Sequence, residues 1–171
     1  LPIARPWRRG STVATVSDLL GEQLFRIERE RYDVALISIG GNDVLKGTIL
    51  KTFEQDLERL ARVGMDCADL GVLRGGGDMG TIPRLLPPLR DLLRARAKRF
   101  DAAHERVAQR LGVVKADQWS SAPGVFADPS IFTPDLFHPG AVGHRAWADV
   151  ATSAIHPHLD RFRVDHSFLG H

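Results

Sequence analysis

Asp135 and His138 lie three residues apart in Asp135-Leu136-Phe137-His138-Pro139. A carboxylate at that spacing in a tight loop can hold one imidazole nitrogen while the other faces a reacting hydroxyl. Far upstream, Gly40-Gly41-Asn42-Asp43 closes an apolar run. The Asn42 amide can donate to an oxygen that gains negative charge, and the adjoining glycines let a carbonyl approach the backbone closely. Base, orienter and oxyanion donor are three parts of acyl transfer, and the fourth is a nucleophile. Ser11, Ser17, Ser38, Ser120, Ser121 and Ser130 read as cap, turn or sheet residues, since none sits on a sharp strand-to-helix turn of the Gly-x-Ser-x-Gly kind. Each motif also has a plain alternative. Gly, Asn and Asp favour turns, Asp135 suits an Asx-turn or helix entry, and His138 suits a surface position before a proline.

These residues need a scaffold, and the hydrophobic pattern predicts one. Val13, Val16, Leu20, Leu24 and Ile27 recur at helical spacing over about Ser11 to Arg31. Val34 to Ile39 is a β-branched apolar run closed by glycines, the pattern of a strand buried on both faces of a parallel sheet. Ile49, Phe53, Leu57 and Leu60 mark a second helix, and Ala68 to Leu73 a weaker strand leading into Gly75-Gly76-Gly77-Asp78-Met79-Gly80. Pro83, Pro87 and Pro88 make the next stretch a loop. Leu89 to Leu111 keeps helical spacing and stops at Gly112, a suitable C-cap; Val113 and Val114 suggest a short strand. A loop from Asp117 to Pro139 and a helix through Val142, Ala146, Val150 and Ala154 complete the chain. Strands alternating with helices predict an α/β architecture, a parallel sheet covered on both faces.

Size and composition exclude several other classes. At 171 residues with 43% hydrophobic and 26% charged residues, the chain is expected to form one domain, residues 1–171, with a C-terminal tail over 157–171. The arginines are interleaved with acids and not with stacking aromatics, so they read as solvated helix faces and no nucleic-acid partner is expected. No run of ~18 apolar residues is present to span a membrane. The single cysteine, Cys67, excludes an internal disulfide and reads as a small core residue. Gly75 to Gly80 satisfies G-x-G-x-x-G, yet the prolines that follow forbid the helix whose N-terminus would meet a pyrophosphate. His156, His158, His166 and His171 read as a polar tail and not as a metal site, His104 as a satisfied core or boundary histidine, and Trp7, Trp119 and Trp147 as packing residues, with Trp119 placed to line a cleft.

In this order and spacing the motifs resemble the SGNH or GDSL family of serine esterases and lipases, over nearly the whole chain. Members carry four blocks: a Gly-Asp-Ser with the nucleophile, a glycine, a Gly-x-Asn-Asp and an Asp-x-x-His-Pro. Gly40-Gly41-Asn42-Asp43 looks like the third and Asp135 to Pro139 like the fourth, while Gly10 in Arg9-Gly10-Ser11-Thr12 looks like the second. Gly143 and Trp147 also stand where such proteins often place these residues. The stretch from Gly77 to Arg84 and the Pro87-Pro88-Leu89-Arg90 after it are similar to bacterial, particularly actinobacterial, members.

The resemblance implies a flavodoxin-like three-layer α/β/α fold and an ester hydrolase acting on a small-molecule or lipid ester, with no metal or organic cofactor. It implies Asp135 and His138 as orienter and general base, and the Gly10 N–H with the Asn42 amide as the oxyanion hole. The Gly-Asp-Ser block does not occur here, and the sequence opens on Leu1 rather than methionine. The chain therefore reads as an N-terminally truncated member that lacks a central strand and its nucleophile, and as inactive by itself. The alternative is a non-catalytic domain that binds an acylated lipid or glycan.

Overall fold

The structure, a computed structural model, describes residues 14–23 and 31–162. A helical turn α1 (Val16–Asp18) runs into a π-helical turn (Leu19–Gln23). Then come strand β1 (Tyr32–Ser38), helix α2 (Gly41–Lys46), helix α3 (Leu50–Cys67), strand β2 (Ala68–Arg74), helix α4 (Leu89–Leu111), strand β3 (Val114–Ala116), helix α5 (Gln118–Val125) and helix α6 (Ala141–Ile155). The three strands pair in parallel in the order β1-β2-β3, with Val34 opposite Leu70 and Val72 opposite Val114. Helices α3 and α4 pack on one face and α6 on the other, so the fold is α/β with a parallel sheet in the middle layer.

The larger core lies under α3 and α4. Phe53 and Leu57 are fully buried, and the Phe53 ring meets Phe100 with centroids 4.5 Å apart. Burying one such side chain stabilises by about 1.5–3 kcal/mol relative to exposure. Gly64 lets α3 settle on β1, since a Cβ there would stand 2.9 Å from Ile37 Cδ1. The smaller cluster, Leu70, Val72 and Ala116 with Val150 and Ala154, seals α6 to the opposite face. On the outside, Arg106 and Arg110 of α4 reach Glu54 and Glu58 of α3 at 2.5–3.0 Å. These pairs are half-exposed and add little, typically under about 1 kcal/mol each.

Three expectations change. The strand at Tyr32–Ser38 is not buried on both faces: Leu36 is 46% exposed. The cause is the position of α6, which packs on β2 and β3 and leaves Leu36 at the edge of the sheet exposed. The loop from Asp117 to Pro139 contains α5 and a 3₁₀ turn (Pro129–Ile131). Asp117 starts α5 by accepting the Ser120 N–H at 3.1 Å and the Ser121 hydroxyl at its carbonyl, and eight residues are too few to show a period. The helix expected from Ser11 to Arg31 is seen over Val16 to Gln23: a capping box between Thr15 and Asp18 fixes its start, so Ala14 and Thr15 precede it, Arg31 is not helical, and 11–13 and 24–30 lie outside the described residues. After α6 the chain continues as a 3₁₀ helix over His156–Phe162. Among the described residues no helix is long and apolar enough to cross a membrane, and no His, Cys, Asp and Glu cluster could hold a metal ion.

Candidate active site

The loops that follow β1, β2 and β3, together with the segment before α6, surround a cavity of about 350 Å³. Open parallel sheets gather their ligand groups at this end of the strands. Asn42 and His138 both line it.

Asn42 is set by two unusual features of the β1-to-α2 connection. Gly40, at φ +113°, turns the chain directly into α2, and a Cβ there would stand 3.0 Å from His104 Cε1 and 3.3 Å from Phe53 Cζ. The dihedral strains any residue but glycine, and a side chain there would press on both rings. The Asn42 amide then donates to the Ala14 carbonyl at 3.0 Å, and the Asp43 carboxylate accepts the Val16 N–H at 3.1 Å. Two consecutive side chains thus clamp the 14–16 segment against the loop. Asp43 is fully buried, and that burial pushes its carboxyl up from the ordinary carboxylate range despite the hydrogen bonds from Thr48 and Val16.

Asp135 and His138 face each other because Leu136 between them adopts φ +55°, a left-handed conformation a branched aliphatic residue takes only when its surroundings impose it. Backbone bonds impose it here: Leu136 N–H to the Thr133 carbonyl and Thr133 N–H to the His138 carbonyl, both 2.8 Å, and Arg84 N–H to the Leu136 carbonyl at 3.1 Å. The Asp135 Oδ2 lies 2.6 Å from His138 Nδ1. Its Oδ1 accepts from the Thr133 hydroxyl at 2.5 Å and from the Phe137 and His138 N–H groups at 3.0 and 3.1 Å. The Thr133 hydroxyl, then His138, then the two backbone donors hold this carboxyl well below the usual carboxylate range, so it is an anion at neutral pH. Asp135 thus forms an Asx-turn with one oxygen and meets the imidazole with the other. The loop rests on α6 at Gly143, where a Cβ would stand 2.7 Å from Pro139 Cβ and 3.1 Å from the Ile131 carbonyl oxygen.

Residues 5–146 match the GDSL-like lipase/acylhydrolase family. The chain belongs to that family. This GDSL-type chain is thus an ester hydrolase by descent, and its fold is that of solved hydrolases. LAE5, an alpha/beta hydrolase from the metagenome of Lake Arreo, Spain, superimposes with a TM-score of 0.65 at 21% identity, over 82% of this chain and 67% of LAE5. Axe2, an acetylxylan esterase from Geobacillus stearothermophilus, gives 0.61 at 18% identity over 83% and 68%. TesA gives 0.60 at 21% identity over 87% and 74%. No curated protein matches the chain.

Of the expected site residues, the cavity brings Asn42 and His138 together with Asp135 behind the imidazole, whereas Gly10 lies outside the described residues. Trp147, and not Trp119, stands in the cavity wall, because the first turns of α6 lie at its rim. His104 is not satisfied as expected. Its Nδ1 lies 3.0 Å from the Phe100 carbonyl, but Nε2 makes no hydrogen bond, although the Ile39 backbone lies close enough to favour the charged ring a little. The ring is sealed beneath Gly40 and Gly75, and that burial lowers its pKa, so the folded protein holds it neutral.

The sign of the resulting pH effect is fixed. Below an unfolded-state pKa of about 6.5 the unfolded chain binds a proton that the fold refuses, so stability falls as pH drops through that value. Urea midpoints measured from pH 7.5 to 5 are expected to decline more steeply for the parent than for His104→Gln. Parallel curves would show that His104 does not resist protonation.

Proposed function

We propose that the cleft hydrolyses a carboxylic ester or O-acetyl group through a serine acyl-enzyme. The observation that carries this reading is the Asp135–His138 contact of 2.6 Å in a cavity that Asn42 also lines. In the reaction a serine Oγ attacks the ester carbonyl as His138 Nε2 takes its proton, and the carbonyl oxygen becomes an oxyanion that receives hydrogen bonds from the Asn42 amide and the Gly10 N–H. The tetrahedral intermediate collapses, the carbon–oxygen bond to the alcohol breaks, and the imidazolium returns its proton to the leaving alkoxide. Water then adds to the acyl-enzyme by the same route, releasing the acid and restoring the serine. Asp135, ionised throughout, keeps the Nδ1 proton in place and stabilises the imidazolium. Axe2, of the same fold, lends support: its catalytic mutants replace a serine, an aspartate and a histidine, the last two at the same separation as Asp135 and His138.

The nucleophile in this reading is a serine outside the 171 residues, in a Gly-Asp-Ser block encoded upstream of Leu1. Ser38 is the one described serine in the cavity wall, and its hydroxyl is engaged by the Arg74 guanidinium rather than by His138. The test is hydrolysis of 4-nitrophenyl acetate by the 171-residue chain and by the protein extended through its upstream coding sequence. The extended protein is expected to turn the ester over and the shorter chain to stay at background. Equal rates would end the assignment of the nucleophile, and no hydrolysis by either would end the esterase reading in favour of a binding domain.

A further inference from the structure

Arg74, the last residue of β2, stands opposite Ser38 and Ala116 in the sheet and lines the cavity. Its partners among the described residues are all neutral. One guanidinium nitrogen bonds the Ser38 hydroxyl, another lies 3.5 Å from Gln118 Oε1, and the guanidinium carbon sits 4.6 Å over the Trp147 ring. Among the described residues no carboxylate comes within ion-pair distance of it. Other arginines have acids, Arg94 with Asp78 at 3.1 Å and Arg106 and Arg110 with Glu54 and Glu58, while Arg96, which also meets neutral oxygens and a ring, does not line the cavity. Asp78 borders the same cavity, but its oxygens are taken by Arg94 and by the Gly80 N–H at 2.7 Å.

A cation drawn out of water without a counter-charge is costly, and burial lowers the Arg74 pKa to about 10, still leaving it charged at neutral pH. The cost is retained at a place where it could serve a ligand. Ser38, Gln118 and Trp147 fix the plane of the guanidinium, and a planar fork of five donors suits a carboxylate two bonds at a time. The surrounding wall, with Phe126, Phe132 and Phe137, is apolar enough to strengthen such a bond.

We propose that Arg74 makes this cleft selective for esters that also carry a carboxylate, which its guanidinium clamps while the ester group lies toward Asn42 and His138. The inference rests on the ester-site reading above, but its test reads binding and not turnover, so the two can fail separately. Either half of the ester can carry the carboxylate, and two probes separate these cases: monomethyl succinate carries it on the acyl side and acetoxyacetate on the alcohol side. Dimethyl succinate is the neutral reference.

Each probe is titrated into the 171-residue chain while the Trp147 indole N–H resonance is followed. At least one anionic probe is expected to bind about tenfold more tightly than the neutral diester. Arg74→Gln is expected to abolish that ratio and Arg74→Lys to keep part of it, since a lysine preserves charge but not the fork. Circular dichroism of both variants checks the fold, and the lysine variant carries the test if the glutamine variant fails to fold. Equal binding of charged and neutral probes by the parent, no binding of either anionic probe, or an anion preference that survives in Arg74→Gln would each overturn the proposal.

Discussion

Replacing His138 by alanine in the protein that carries the nucleophile block is expected to lower kcat on 4-nitrophenyl acetate by about 10³- to 10⁴-fold, the combined worth of a general base and of the acid that protonates the leaving group. KM should move little, because the imidazole acts on protons in flight and not on the bound ester. The fold should be indifferent: the His138 side chain is 69% exposed, and exposed substitutions of this kind change stability by about 0.5 kcal/mol or less. Equal urea midpoints with a collapsed kcat are therefore the signature. A variant within tenfold of the parent would mean that Asp135 and His138 form only a structural turn.

The second large effect is expected at Asn42. An amide that meets the oxyanion more strongly than the ground-state carbonyl contributes to kcat, so Asn42→Ala should reduce kcat by about 10²- to 10³-fold, again with KM nearly unchanged. Unlike His138, Asn42 also holds the fold, since its amide donates to the Ala14 carbonyl at 3.0 Å. A loss of about 1 kcal/mol in stability should accompany the kinetic loss. The two effects separate in the measurements, because partial unfolding lowers the concentration of active enzyme, whereas a lost oxyanion donor lowers kcat per folded molecule. A folded-fraction-corrected kcat within threefold of the parent would remove Asn42 from the oxyanion site.

Much of this was legible without coordinates. The order of strands and helices follows from short apolar runs and from an apolar period of 3.6, which are local properties of the chain. The end of α4 at Gly112 was readable for the same reason: the residue takes φ +67°, a conformation glycine adopts without penalty. The Asp135–His138 couple was readable because the two residues share one turn, and the bonds that close it run between Thr133 and His138. Helix α5 was missed because eight residues carrying Ser, Pro and Gly show neither a period nor an apolar face. Arg74 was missed because its only sequence signal is a charge at the end of a mostly apolar strand, which also describes an ordinary surface residue.

Motif types, their order and the alternation of elements thus belong to the sequence, since each depends on side chains within a few residues of one another. Tertiary structure alone decided that Asn42 and His138, distant in the chain, share one cavity, that Gly40 lies against an imbalanced His104, and that Leu36 is left uncovered. It alone showed that Arg74 meets no carboxylate among the described residues, because the absence of a partner is a property of everything packed around a side chain and cannot be written in its neighbours along the chain.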